Sequence, residues 1–256
     1  MMKGLKILLI GALLFAFSDG VFAQTSRSRT RVVKTPTTGK TSSPTTRSSA
    51  GLTDNEITRG LKDALFNGVR FAVDTLGREN GFLDDARVKI PLPKSLQNAE
   101  KALRFAGQGR LVDDFVVSMN HAAEKAVPVA VDVFLDAIRQ MTFDDVRNIL
   151  FSGQEDAATQ FFRRTSEDTL RQKFRPIVEQ FTDEVGVTQK YKDMIGRYGF
   201  MGRIFGQDAT DIDGYVTQKA LDGLFFMVAE EEKKIRRDPI GRTTDILRKV
   251  FGGIFK

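Results

Sequence analysis

Ala220-Leu221-Asp222-Gly223-Leu224-Phe225-Phe226-Met227-Val228-Ala229 is the stretch on which the fold turns. Its only polar side chain is Asp222, so a helix built from it is apolar nearly all round and belongs at the centre of a domain. Gly223 within it lets a neighbour approach. Upstream, Asp211 or Asp213 supplies a helix cap. Downstream, Glu230, Glu231 and Glu232 precede Lys233, Lys234, Arg236 and Arg237 in the order that suits pairs four residues apart, Glu230 with Lys234 and Glu232 with Arg236. That end reads as a solvated helix terminus whose basic residues complement the negative pole.

Outward from this helix the pattern stays helical. Three starts carry one device: Thr53-Asp54-Asn55-Glu56, Thr142-Phe143-Asp144-Asp145 and Thr165-Ser166-Glu167-Asp168 each set a hydroxyl where it can accept an orphan amide, with a carboxylate three residues on. Leu52 with Ile57, and Met141 with Val146, stand at the positions that staple the entering chain. A stripe of Ile57, Leu61, Leu65, Val69, Val73 and Leu76 makes a first helix from about Asp54 to Leu76, ended by Gly77. The two prolines in Gly81 to Pro93 forbid a continuous helix, so this is an extended loop with buried apolar points. Further helices are expected over about Lys94 to Ala106, Leu111 to Val127, Pro128 (a kink or a new start) to Gln140, Phe143 to Phe151, Glu155 to Arg163, and Ser166 to Val185 with Pro176 at a kink or break. Thr188 to Arg197 and Pro239 to Phe251 add two more, with a Gly-rich loop over Gly199 to Thr210. No period-two run exceeds three or four residues and no repeat is visible. The expectation is an all-α fold, one helical domain of about eight to ten helices over residues 51–256.

What precedes it is different in kind. Lys3 and Lys6 lead into an apolar run from Ile7 to Phe17, and Val21-Phe22-Ala23 offers small residues where a signal peptidase cuts, before Gln24. Residues 1–23 are therefore expected to be a secretory signal, too short in its apolar part to anchor in a bilayer. From Thr25 to Ala50, 14 of 26 residues are Ser or Thr, six are Arg or Lys, and none is acidic. Such a segment cannot offset chain entropy by burial, so residues 24–50 read as a disordered basic leader spanning about 28 Å. The whole chain carries +6, of which the signal contributes +1 and the leader +6, leaving −1 for residues 51–256. The basic balance belongs to the leader, and a nucleic-acid partner is not expected.

Composition narrows the chemistry. With no Cys and one His, His121, disulfides, thiolate nucleophiles, Cys-based zinc sites and any centre needing two imidazoles are excluded, and no metal or other cofactor is expected. His121 and Glu124 share a helix face, but one imidazole and one carboxylate make a poor metal site. Asp211-Ile212-Asp213-Gly214 fits the middle of a calcium loop, yet Ala209 and Ala220 stand where the first and last ligands belong. No phosphate-binding Gly loop and no Gly-x-Ser-x-Gly occurs. The remaining candidates for binding are Asp222, expected to be buried and paired with Lys219 or Arg163, and Glu230. Asp222 and Glu230 lie about 12 Å apart along one helix, too far to act as a carboxylate pair by themselves.

Several segments together resemble a known family. Phe82 to Pro93, Met119-Asn120-His121-Ala122-Ala123-Glu124-Lys125, Phe161-Phe162-Arg163-Arg164-Thr165 and, above all, Tyr215 to Phe251 (with Lys219-Ala220-Leu221-Asp222-Gly223-Leu224-Phe225, Glu230 to Arg236 and Arg242-Thr243-Thr244-Asp245) are similar to the bacterial domain-of-unknown-function family 4197 over about residues 52–252. The resemblance implies an exported protein of Gram-negative bacteria with a helical domain and no assigned activity, in which Arg often stands at the position of His121. The functional expectation is a non-enzymatic binding or interaction module in the periplasm or cell envelope, its partner an envelope protein or an apolar ligand. The alternative is a carboxylate-dependent hydrolase or lyase acting on an envelope polymer. The C-terminal run Ile246, Leu247, Val250, Phe251, Ile254 and Phe255 with Arg248, Lys249 and Lys256 is amphipathic and is expected to pack on the core rather than lie in a membrane interface.

Overall fold

A computed structural model describes residues 53–184 and 211–237 of the chain. In order, these form α1 (Asp54–Leu76), a 3-10 turn (Lys94–Leu96), α2 (Gln97–Phe105), α3 (Gly109–Ala126), a second 3-10 turn (Val127–Val129), α4 (Ala130–Gln140), α5 (Phe143–Phe151), α6 (Ala157–Glu184) and α7 (Ile212–Arg237). The described residues contain no strand, and the fold is all-α. The signal, the leader, Leu52, the expected helices at 188–197 and 239–251 and the Gly-rich loop before α7 lie outside the described residues.

Two helix starts form as their sequences dictate. Thr53 accepts from the Glu56 amide at 3.3 Å while Glu56 accepts from the Thr53 amide at 2.8 Å. Thr142 and Asp145 repeat the exchange at α5, where Met141 and Val146 are both buried. The third does not form. Thr165 sits inside α6 and turns its hydroxyl back onto the Phe161 carbonyl at 2.9 Å, and Glu167 pairs with Arg163 and Arg171 instead of serving a cap. The apolar stripe decides this: Ala158, Phe162, Leu170, Phe174 and Val178 are all buried on one side of a continuous helix. Pro176 is tolerated because it and Gln172, whose carbonyl loses its partner, both face solvent. Fusion of two expected helices into α6 brings the described residues to seven α-helices, fewer than the eight to ten expected. Pro128 starts a new helix through the 3-10 turn between α3 and α4.

α7 lies at the centre as its composition predicts, packed against α6, α1 and α3, while α6 also covers α3, α4 and α5. Ala220, Leu221, Leu224, Phe225, Met227 and Val228 are buried, and Phe134 packs against both Phe162 and Phe225 with ring centroids 5.0 and 5.9 Å away. The loop between α1 and α2 completes this core. It inserts Phe82, Val88, Ile90 and Leu92, all buried. A Cβ at Gly223 would stand 2.7 Å from the Phe82 ring, so the glycine is what admits that ring.

Candidate functional site

The loop from Gly77 to Pro93 has few internal backbone bonds, and α3 supplies what it lacks. Glu124, buried, accepts from the amides of Asn80 (3.1 Å), Phe82 (3.0 Å) and Leu83 (3.4 Å). One turn earlier, Asn120 pairs with both backbone groups of Ile90, its Oδ1 accepting at 2.8 Å and its Nδ2 donating at 3.0 Å. Asn80 holds a left-handed conformation (φ 59°), and the turn behind it needs Gly81, where a Cβ would fall 2.5 Å from two carbonyl oxygens. The shared face expected for His121 and Glu124 is present: His121 Nε2 lies 3.9 Å from Glu124 and 3.2 Å from Asn80 Oδ1. Three amides already occupy the carboxylate, so it holds the loop rather than polarising a general base.

A second buried carboxylate, on α7, does the same work for α6. Glu232 accepts from the amides of Ala158 and Thr159, each at 2.9 Å, and from the Thr159 hydroxyl at 2.9 Å, capping α6 from a different helix. Arg236 compensates the charge at 2.7 Å and extends to the Ile149 carbonyl at 2.9 Å. The expected Glu232–Arg236 pair is therefore present, but this end of α7 is not a solvated terminus, for Glu231 and Glu232 are each 5% exposed. Glu230 pairs with Lys233 rather than Lys234, which bonds Glu231.

The remaining sequence candidates separate. Asp222 takes Lys219 at 3.4 Å as expected and Gln218 at 3.0 Å, but its side chain is 42% exposed rather than buried. The helix is apolar in composition, yet Tyr215, Lys219, Asp222 and Phe226 mark the line along which it meets solvent. Arg163 does not reach Asp222. Its guanidinium lies 4.5 Å over the Phe225 ring and bonds Glu167. Lys219, Asp222, Glu230 and Arg163 thus make local structural contacts and do not converge.

Among the described residues one carboxyl group is shifted in the direction acid catalysis needs. Burial, with help from the neighbouring charges of Glu179, Asp183 and Asp211, pushes Asp213 up, and the Thr182 hydroxyl donating at 2.7 Å works against that rise. Asp211 itself caps α7, accepting from the Gly214 amide at 2.9 Å. Among the described residues no group of three or more His, Asp or Glu side chains is placed to hold a metal ion, and no helix is long and apolar enough to cross a membrane.

Two open grooves lie on the surface of the described residues. One, of about 750 Å³, runs between the α1–α2 loop and the α2–α3 hairpin, with Leu83, Ala86, Leu92 and Val116 in its apolar lining. Lys89 and Arg104 stand on its rim beside Asp84, Glu100 and Asp113, and Arg104 bridges Glu100 (2.9 Å) and Asp113 (2.7 Å). Phe105, at the tip of the same hairpin, is 97% exposed. The other groove lies between α4 and α6. Neither was visible in the sequence, because each is made by elements distant along the chain. The nearest signal was the pair of prolines that kept residues 81–93 out of a helix. No curated protein matches the chain, and no solved structure does. The family described as "Protein of unknown function (DUF4197)" matches residues 51–252, and the chain belongs to that family.

Proposed function

We propose that the chain is an exported helical module of the Gram-negative cell envelope, and that it works by binding an extended segment of another envelope protein in the groove beside the α2–α3 hairpin. The observation that carries this reading is the groove itself, with apolar side chains and charges of both signs in its lining; Phe105, next to the lining residue Arg104 but not itself in the lining, is 97% exposed. Side chains of that mixture suit a peptide better than a wholly apolar ligand. Aromatic side chains that a partner can bury supply much of the energy of protein docking. Export rests on Lys3, Lys6, the apolar run to Phe17 and the Val21-Phe22-Ala23 cleavage pattern.

The test combines fractionation with crosslinking. In a Gram-negative host the protein should lose residues 1–23 and enter the periplasm, and a photoreactive benzoylphenylalanine at Ala86 should give a discrete protein adduct that the same group at Asp63 does not. A cytoplasmic chain with its N-terminus intact, or identical adducts from both positions, contradicts the proposal. A carboxylate-dependent hydrolase or lyase is the second reading, and Asp213 is the observation in its favour. Release of soluble fragments from purified cell-wall sacculi, abolished by Asp213→Asn, would establish it over the binding module.

A further inference from the structure

The groove between α4 and α6 has Val133, Ala137 and Phe161 at its base and a volume of about 540 Å³. Asp132, Asp136 and Asp145 stand around it against Lys173. Asp136 is met by Arg139 at 3.3 Å and Asp145 is tied to Thr142, but Asp132 makes no ion pair among the described residues. The result is an apolar trough with an acidic side.

α7 delivers the chain to the end of this trough. Arg236 bonds the Ile149 carbonyl, and Arg237 lies 3.6 Å from Glu155, so the chain leaves α7 between the end of α5 and the start of α6. Asp145, at the groove, is one helical turn before Ile149 on α5, about 6 Å away. Phe151, beside this exit, is 61% exposed.

Residues 238–256 follow. Their pattern fits the trough on both counts: Ile246, Leu247, Val250 and Phe251 share one face at helical spacing, and Arg242, Arg248, Lys249 and Lys256 outnumber Asp238 and Asp245. We infer that the α4–α6 groove is the seat of the chain's own C-terminal segment, residues 243–251, with its apolar face on Val133, Ala137 and Phe161 and its basic side chains along Asp132 and Asp136. The lengths agree. As a helix the segment is about 13.5 Å long, and the groove runs about 18 Å along α6 from Phe161 to Lys173. Residues 238–242, extended, reach up to about 18 Å, ample for the turn from the exit to the groove. The basic leader is the competing occupant within the chain. It matches the charge, but Val32 and Val33 are all it offers the apolar base besides Ala50 and its prolines. The inference is independent of the partner site by the α2–α3 hairpin.

The chain has no Cys, so disulfide trapping adds the only thiols. In the full chain, Ala137→Cys with Val250→Cys should form an intramolecular bond under mild oxidation, at least about tenfold faster than Ala137→Cys with Thr41→Cys in the leader. Thr169→Cys with Phe251→Cys, on the opposite wall, should behave likewise and serves if the first pair disturbs folding. Asp132→Lys with Asp136→Lys should slow trapping several-fold, and adding Arg248→Asp with Lys249→Asp should restore it. Failure of both pairs to close, faster closure onto position 41, or a disulfide-linked dimer as the main product would overturn the inference.

Discussion

Glu124 and Asp145 perform the same task in opposite surroundings. Each carboxylate accepts backbone amides that have no partner within their own element. Asp145 does so at the surface, three residues from the amide it satisfies, as half of an exchange with Thr142. Glu124 does so in the interior, 4% exposed, for amides more than 40 residues away. If the Asp145 exchange is lost, water replaces it. If Glu124 is lost, the buried Phe82 amide has no substitute, and the ring that fills the space over Gly223 loses its tether. Equal geometry therefore carries unequal energy, because an unsatisfied buried donor costs far more than the net value of a hydrogen bond in water.

Mutations along this contrast should rank accordingly. Glu124→Ala should cost the most, about 3–5 kcal/mol in urea unfolding, with Glu124→Gln retaining part of the loss because one oxygen still accepts. A cost under 1 kcal/mol would mean the loop is held by its apolar side chains alone. Glu232→Ala removes the cap of α6 and leaves Arg236, 12% exposed, without its counter-charge, so about 2–4 kcal/mol is expected. Thr142→Ala touches only the surface exchange and should cost about 1 kcal/mol. That contribution has a pH signature, since the Thr142 hydroxyl and amide hold Asp145 below its usual value: it is present above the ordinary carboxyl range and fades as pH falls through the lowered value.

Asp213 should show the smallest effect and the opposite sign. Its carboxyl is pushed up by burial and by nearby like charges, so the folded state binds the proton more readily than the unfolded chain. Ionisation therefore removes stability as pH rises from the ordinary carboxyl value through the raised one. Asp213→Asn should raise the melting temperature slightly at pH 7, with the gain shrinking as pH falls through the raised value, where the native carboxyl takes up its proton. A loss of stability at pH 7 would show that the Thr182 bond outweighs the repulsion.

The same contrast explains what could be read from the sequence. Thr53 with Glu56 and Thr142 with Asp145 declare α1 and α5 because a capping box closes within four residues. Thr165 carries the same pattern and misleads, because the buried stripe through Phe162, Leu170 and Phe174 continues the helix across it. The location of α7 was legible from its apolar run, but the exposure of Asp222 was not, since composition does not show which line of a helix its neighbours leave uncovered. Glu232 sits 74 residues from the Ala158 amide it serves, and no local pattern could reveal that pairing. The grooves share this origin: their walls are assembled by packing.

The claim that buried carboxylates on α3 and α7 act as independent tertiary caps is most directly tested by amide hydrogen exchange in Glu124→Gln under native conditions. The account predicts faster exchange at Phe82 and Leu83, with the protection of Ala158 and Thr159 changed no more than the loss of global stability requires. Unchanged exchange at Phe82 and Leu83 would contradict it.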